Sequence, residues 1–344
     1  MDDSRSVRTW LRLILNKDPR LHVVGEAASA EEARQLIKTT NPDVITLDIE
    51  MPGMNGLEFL ERLMRLKPMP VVMVSGKTKF GSEAAIAALT IGAVDCILKP
   101  GSGTDSKTFK DIARRVFSAA CSTLQPFEKI TKGVHNGYSP AGSGPQPIVL
   151  IGASTGGVNA LETVLPTLRA NGPPVVIVQH MPATFLISFS QLLNRNLSQN
   201  VSLARNGASL AAGQIVLAPE QGAHTELVRR NGVWQTYLRS NVECAAHCPS
   251  VDTLFSSAAP FGHDVIAVIL TGLGRDGSIG MQLLHRSGAF TIGQDEATSV
   301  VYGMPKAAWK LGVVDKKLPL TQIGAAINQA IDQHRQQSRG GPHD

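Results

Sequence analysis

Three residues at the ends of apolar runs carry the side chains of a nucleophilic hydrolase. The run PIVLIG leads into Gly152-Ala153-Ser154-Thr155-Gly156-Gly157, PPVVIVQH ends at His180, and DVIAVILTG is followed by Asp276 in TGLGRDG. A serine hydroxyl is a weak nucleophile until a base takes its proton. Imidazole does this near neutral pH, and a carboxylate fixes the ring's tautomer and stabilises the imidazolium. The G-x-S-x-G spacing permits the tight strand-to-helix turn that exposes such a hydroxyl. An oxyanion needs donors, and the Leu273 N–H and the region of Thr155 are the candidates in the glycine-rich loops.

A second set of residues reads as chemistry on phosphate. DVITLD ends at Asp48, PVVMVS at Ser75 and CILKP presents Lys99, while Asp2 and Asp3 precede the first helix. Carboxylates gathered at one point repel unless a divalent cation neutralises them, and Mg²⁺ takes one or two carboxylates plus water and phosphate. The set reads as Mg²⁺-assisted phosphorylation of a carboxylate, with Lys99 balancing phosphate charge and Ser75 donating a hydrogen bond to it.

Each piece also has a plainer reading. Asp2 and Asp3 would favour a helix N-terminus, Asp48 would cap a turn, and Lys99 would be a solvated strand-end lysine. Gly152–Gly157 would cradle phosphate, although it lacks the G-x-G-x-x-G pattern. His180 would be a satisfied buried histidine and Asp276 a helix N-cap. The order Ser, His, Asp differs from the Ser, Asp, His of α/β-hydrolases. Cys244-x-x-His247-Cys248 suggests zinc, with His224 or His263 as a fourth ligand, but the spacing is loose.

What must position these residues is a pair of α/β domains. Strand-like runs alternate with helix-period segments in both halves, and their continuous apolar character implies doubly wound parallel sheets covered on both faces. The first half reads as a helix from about Val7 capped by Ser4, the strand LHVVGEA, and then DVITLD, PVVMVS and CILKP separated by helices. The second reads as PIVLIG, PPVVIVQH, QIVLAP, DVIAVILTG and AFTIG, with a hairpin of HTELVRR and VWQTYL. Strands of one parallel sheet end at a common edge, so each set of side chains converges. The Pro-, Gly- and Ser-rich stretch 122–146 is read as a linker between domains 1–121 and 147–335.

Composition narrows the function classes. At 344 residues the chain has room for about two domains. Its net charge of +5 is spread without a basic tract, 17 basic and 15 acidic side chains in residues 1–120 against 16 and 13 in the remainder, which removes the main support for nucleic-acid binding. Apolar runs such as Val265–Leu270 fall far short of the ~20 residues of a membrane span. The polar, acidic start MDDSRS is unlike a secretory signal, so the chain is expected in the cytoplasm with Cys96, Cys121, Cys244 and Cys248 as reduced thiols.

The DD pair, LDIEMPGMNG, Ser75 and the Lys-Pro after a strand together resemble the receiver domain of two-component response regulators, over residues 2 to about 120. This resemblance implies a flavodoxin-like fold, Asp48 as phospho-acceptor, and Asp2, Asp3 and the Glu50 carbonyl around Mg²⁺, with Asp3 the more direct ligand of the pair. Receivers begin with an apolar strand before the DD pair, so the domain reads as N-terminally short. The position three before Lys99, usually aromatic, is Cys96. From Pro147 to Val314, the series IGASTGG, QHMP, LAPE, HCPSVDTLF, ILTGLGRDG and QDEATSVVYGMP resembles the Rossmann-like catalytic domain of the chemotaxis-type protein-glutamate methylesterase/glutaminases. That implies Ser154 as nucleophile, His180 as base and then acid, Asp276 as orienting carboxylate, and Thr155 and Leu273 at the oxyanion or substrate. Leu273 stands where methionine is usual, and Cys248 where arginine is common. The implied function is demethylation of chemoreceptor glutamates, with glutamine deamidation, switched on by a chemotaxis histidine kinase phosphorylating Asp48. The esterase step itself implies no cofactor. The alternatives are a non-catalytic docking or adaptor output, and a DNA-binding output, which would need a helix-turn-helix and a basic face.

Overall fold

The computed structural model describes residues 1–76, 78–99, 106–123, 146–220, 222–240 and 247–339. The chain divides into two compact units, Met1–Phe127 and Glu128–Asp344. Most of the expected linker, 124–145, lies outside the described residues.

The first unit contains α1 (Arg5–Leu15), α2 (Ala30–Thr40), β1 (Ile45–Asp48), α3 (Gly56–Leu66), β2 (Val71–Ser75), α4 (Lys79–Ile91), β3 (Asp95–Leu98) and α5 (Ser106–Ala120). Among the described residues its sheet is parallel in the order β1–β2–β3. Val71–Val74 are fully buried, as expected of a strand covered on both faces. Asn55 and Ser29 cap α3 and α2 by accepting from the N–H groups of Glu58 and Glu32.

One expectation holds in position without its bond, and one fails. Ser4 occupies the N-cap position of α1 without a side-chain capping bond, and its own N–H donates to Asp2 Oδ1 at 2.9 Å. LHVVGEA is not a strand. A cavity of about 560 Å³, lined among others by Leu21, Val23, Ile37, Ile45 and Val116, separates it from β1. Extended backbone without a neighbour at ladder distance forms no sheet, whatever its β propensity. Met1 and Asp2 bridge the gap: Met1 N donates to Thr46 O, Met1 O accepts from Asp48 N, and Asp2 N donates to Ala27 O.

The second unit comprises β4 (Ile148–Ala153), α6 (Gly157–Val164), β5 (Val175–Gln179), α7 (Ala183–Asn196), β6 (Asn200–Leu203), β7 (Ala208–Ser209), β8 (Gln214–Leu217), β9 (Ala223–Arg230) and β10 (Val233–Ser240). It continues with α8 (Val251–Ala258), β11 (Val265–Ile269), α9 (Ser278–Arg286), β12 (Phe290–Gln294), α10 (Met304–Lys310), β13 (Lys316–Leu318) and α11 (Leu320–Arg339). Its main sheet is parallel, in the order β13–β12–β11–β4–β5–β8–β6. Strand β4 enters at the centre, and the chain builds outward first on the β5 side and then on the β11 side. The crevice beyond its carboxyl end is therefore the topological switch point where open α/β sheets bind ligands.

The expected hairpin forms: β9 and β10 pair antiparallel around Asn231-Gly232, whose φ values of 50° and 77° suit a tight two-residue turn. The short strands β6, β7 and β13 escaped the sequence reading. Each is polar, brief and at a sheet edge, where hydrophobic periodicity is weakest.

Candidate active site and acidic pocket

Ser154, His180 and Asp276 lie just beyond the three central strands β4, β5 and β11. Ser154 is stitched to the β11 side by its N–H, which donates to Thr271 O at 3.0 Å, and His180 N donates to Ala153 O at 3.0 Å. Gly156 turns the chain into α6 with φ of +78°. At Gly157 a Cβ would collide with the Gln179 side chain, whose Nε2 donates to Ser154 O at 2.9 Å, so both glycines keep the Ser154 turn tight.

His180 Nε2 lies 2.9 Å from Asp276 Oδ2, while its Nδ1 is buried and has no hydrogen-bond partner. A carboxylate only accepts, so the neutral ring carries its proton on Nε2 and leaves Nδ1 as a base. Asp276 in turn accepts from Ser250 Oγ at 2.8 Å, Val251 N at 2.8 Å and Asp252 N at 2.9 Å. Burial alone would raise its pKa, but the bonds and charge of His180 and these backbone donors hold it well below the usual carboxylate range. Asp276 therefore sits on the N-terminus of α8 and is not the N-cap of α9, a position taken by Gly277. Its neighbour Asp252 is shifted the other way, by burial and by the charge of Asp276, and accepts from Gly280 N at 2.7 Å.

Thr155 is buried, and its carbonyl accepts from Thr271 Oγ1 at 3.0 Å, so its peptide is fixed next to Ser154. Leu273 is half-buried on the loop after β11. Sequence reasoning missed the polar residues that hold these parts. Thr271 N donates to Gln294 Oε1 at 2.7 Å, and Glu220 accepts from Ala183 N at 2.6 Å at the start of α7, two residues past His180-Met181. The quoted strings LAPE, HCPSVD and QDEATS contained several of these residues, but nothing in residue type alone separates a supporting Gln or Ser from a surface one.

In the first unit the acidic residues do converge. Carboxylate oxygens of Asp2, Asp3 and Asp48 all lie within 4.8 Å of one another, the one potential metal-binding group of its kind among the described residues. Asp2 and Asp48 are buried and Asp3 is exposed. Lys99 Nζ contacts Asp48 Oδ2 at 2.7 Å and Asp2 Oδ2 at 3.2 Å. Burial, with Asp2 adding to it, pushes Asp48 above the ordinary carboxylate range against the pull of Lys99. Lys99 is raised despite burial, by Asp48 and then Asp2. Three carboxylates facing one lysine leave excess negative charge in a half-buried pocket, which fits a divalent cation. Glu50 N donates to Asp48 Oδ1 at 3.2 Å, and an open cleft of about 460 Å³ beside the pocket is lined by Asp3, Glu50 and Lys99. Ser75 does not face Asp48 in this state: its hydroxyl donates toward the carbonyls of Gly81 at 3.0 Å and Gly76 at 3.2 Å. Cys96 is buried in β3 with its thiol pushed far up by desolvation. In the zinc reading, Cys244 falls outside the described residues, and His224 Nδ1 is already engaged by Ser250 N at 3.1 Å.

Fold and geometry together define a two-unit α/β protein: an acidic pocket at the strand ends of one parallel sheet, and a Ser–His–Asp cluster at the switch point of another. Residues 149–327 match the CheB methylesterase family and residues 1–108 the response regulator receiver domain. The chain is 46% identical over 340 residues, covering 95% of it and 94% of the relative, to a protein-glutamate methylesterase/protein-glutamine glutaminase of Agrobacterium fabrum. It is 48% identical over 329 residues, 95% and 94% covered, to one of Rhizobium etli. The crystal structure of the Thermotoga maritima CheB methylesterase catalytic domain matches 55% of the chain and 98% of that domain at 35% identity, with a TM-score of 0.51. The chain belongs to the CheB methylesterase family and carries a receiver domain ahead of its hydrolase domain.

Proposed function

We propose that the protein removes methyl esters from chemoreceptor glutamates in chemotaxis adaptation, and deamidates receptor glutamines, through Ser154, His180 and Asp276. The observation that carries this reading is the state of one imidazole: Nε2 lies on Asp276, Nδ1 is buried and unpartnered, and the His180 main chain is bonded to Ala153, the residue before Ser154. Ser154 Oγ attacks the γ-carbonyl of the ester as His180 Nδ1 takes its proton. The peptide N–H groups of Thr155 and Leu273 are assigned to the oxyanion. His180 returns the proton to the departing methanol, then takes one from water, which releases the glutamate and restores Ser154. With glutamine the same sequence expels ammonia.

Phosphoryl transfer from a chemotaxis histidine kinase to Asp48 is the proposed switch. Asp2, Asp3, Asp48 and the Glu50 carbonyl would hold Mg²⁺, whose chemistry is to neutralise charge on the incoming phosphoryl oxygens. Lys99, already on Asp48, is placed to pair with the phosphoryl group, and Ser75 would release its carbonyl partners to donate to it. Among the described residues no helix is long and apolar enough to cross a membrane, in keeping with a protein that meets its receptors from the cytoplasm. An adaptor output is the less supported reading, since docking needs no buried imidazole held on a carboxylate with its other ring nitrogen unpartnered. A serine-directed fluorophosphonate tests the assignment: it is expected to modify Ser154 and abolish methanol release, whereas labelling elsewhere, or none, contradicts it.

A further inference from the structure

We infer that His247 is a positioning residue of the esterase site, its ring lying flat on His180 and holding the plane in which Nε2 meets Asp276. The inference rests on the catalytic reading above. The two imidazoles stack with centroids 4.4 Å apart and planes 17° from parallel. His247 reaches this place on the same short segment that fixes the carboxylate. Ser250 Oγ, Val251 N and Asp252 N all donate to Asp276, and Ser250 N is anchored to the buried His224 of β9 at 3.1 Å. Residues 247–252 therefore set both the orientation of the base and the position of its orienting partner.

The stack also has an electrostatic consequence. When His180 takes the proton of Ser154, the new cation has the Asp276 carboxylate at its Nε2 edge and the His247 ring on its face. A neutral aromatic face attracts a cation, whereas a second positive charge at that distance repels it. The position therefore calls for a side chain that is both flat and neutral.

Three variants separate shape from charge: H247F is flat and neutral, H247A is neither flat nor charged, and H247R is planar but permanently cationic. In methanol release from methylated receptor membranes by the full chain, H247F is expected to keep kcat within about threefold of wild type. The expected loss in kcat is about tenfold for H247A and about a hundredfold for H247R, with KM held within about twofold throughout. Ser154 labelling by a fluorophosphonate should slow in the same order, and thermal melts exclude unfolding as the cause. Equal losses in H247F and H247A, full activity in H247R, or changes confined to KM overturn the inference while the esterase reading stands. A wild-type chain that neither releases methanol nor is labelled at Ser154 overturns both.

Discussion

His180 offers Nε2 to Asp276 at 2.9 Å, and so leaves unpartnered the ring nitrogen nearer its own backbone, the base of the proposed reaction. This reverses the arrangement in which Nδ1 faces the carboxylate and Nε2 reaches for the serine. A base with a shorter reach demands a closer main chain. The sheet supplies it, because β4 and β5 are adjacent and His180 N is bonded to the carbonyl of Ala153, the residue before the proposed nucleophile.

Asp276→Asn is the most direct probe of the tautomer. An amide can donate to Nε2, which moves the ring proton to Nδ1 and removes the base, at the cost of the oxygen that now accepts from Val251 N. A fall of about 10⁴-fold in kcat is expected, with circular dichroism unchanged. Activity near the wild-type rate would mean that Nδ1 does not carry the proton transfer.

Asp276 also ties stability to pH. Its pKa in the folded protein is depressed, so the folded state binds this proton less readily than the unfolded chain. Its contribution is fully present above the ordinary aspartate value of about 4 and is lost as pH falls through the folded value. In denaturant melts, Asp276→Asn should be less stable than wild type at pH 7 by about 1.5–3 kcal/mol, with the gap shrinking on acidification. A gap that is constant with pH would show that the charge of Asp276 contributes nothing.

Gly272→Ala tests whether the β11 loop holds the serine. The added Cβ would stand 2.8 Å from Ser154 Cβ and press on Met304 Sδ. At least a tenfold loss of kcat is expected, since even small displacement of a reacting group is costly. An unimpaired variant would place the nucleophile's support elsewhere.

Asp48 is predicted to weaken the receiver that it serves. Its folded pKa is raised, so the ionised carboxylate costs stability as pH rises from about 4 through the folded value. Asp48→Asn should therefore stabilise the receiver by about 0.5–2 kcal/mol at neutral pH while abolishing phosphorylation from a small-molecule phosphodonor. Mg²⁺ at ten times its Kd should stabilise the wild type by about 1.4 kcal/mol and leave Asp48→Asn nearly unmoved. Equal Mg²⁺ shifts in both proteins would contradict the ligand set.

The sequence was most legible where chemistry and apolar runs coincide. Ser154, His180 and Asp276 each follow a buried run, so their convergence could be read from strand order alone, and the same logic found Asp48 and Lys99. It was less legible where a partner decides the outcome. LHVVGEA has the composition of a strand and lacks a neighbour to pair with, and Ser75 has the right position but a hydroxyl turned to other acceptors. Ser4 takes the N-cap position as its type suggests, but its side chain makes no capping bond. His247 looked like part of a loose metal motif, and only the three-dimensional path of residues 247–252 brings its ring onto His180.

Methanol release from methylated chemoreceptor membranes tests the central claim most directly, comparing wild type with Ser154→Ala with and without a phosphodonor. The account predicts release by the wild type, increased when Asp48 is phosphorylated, and none above background from a folded Ser154→Ala. A folded Ser154→Ala that demethylates receptors at the wild-type rate would contradict it.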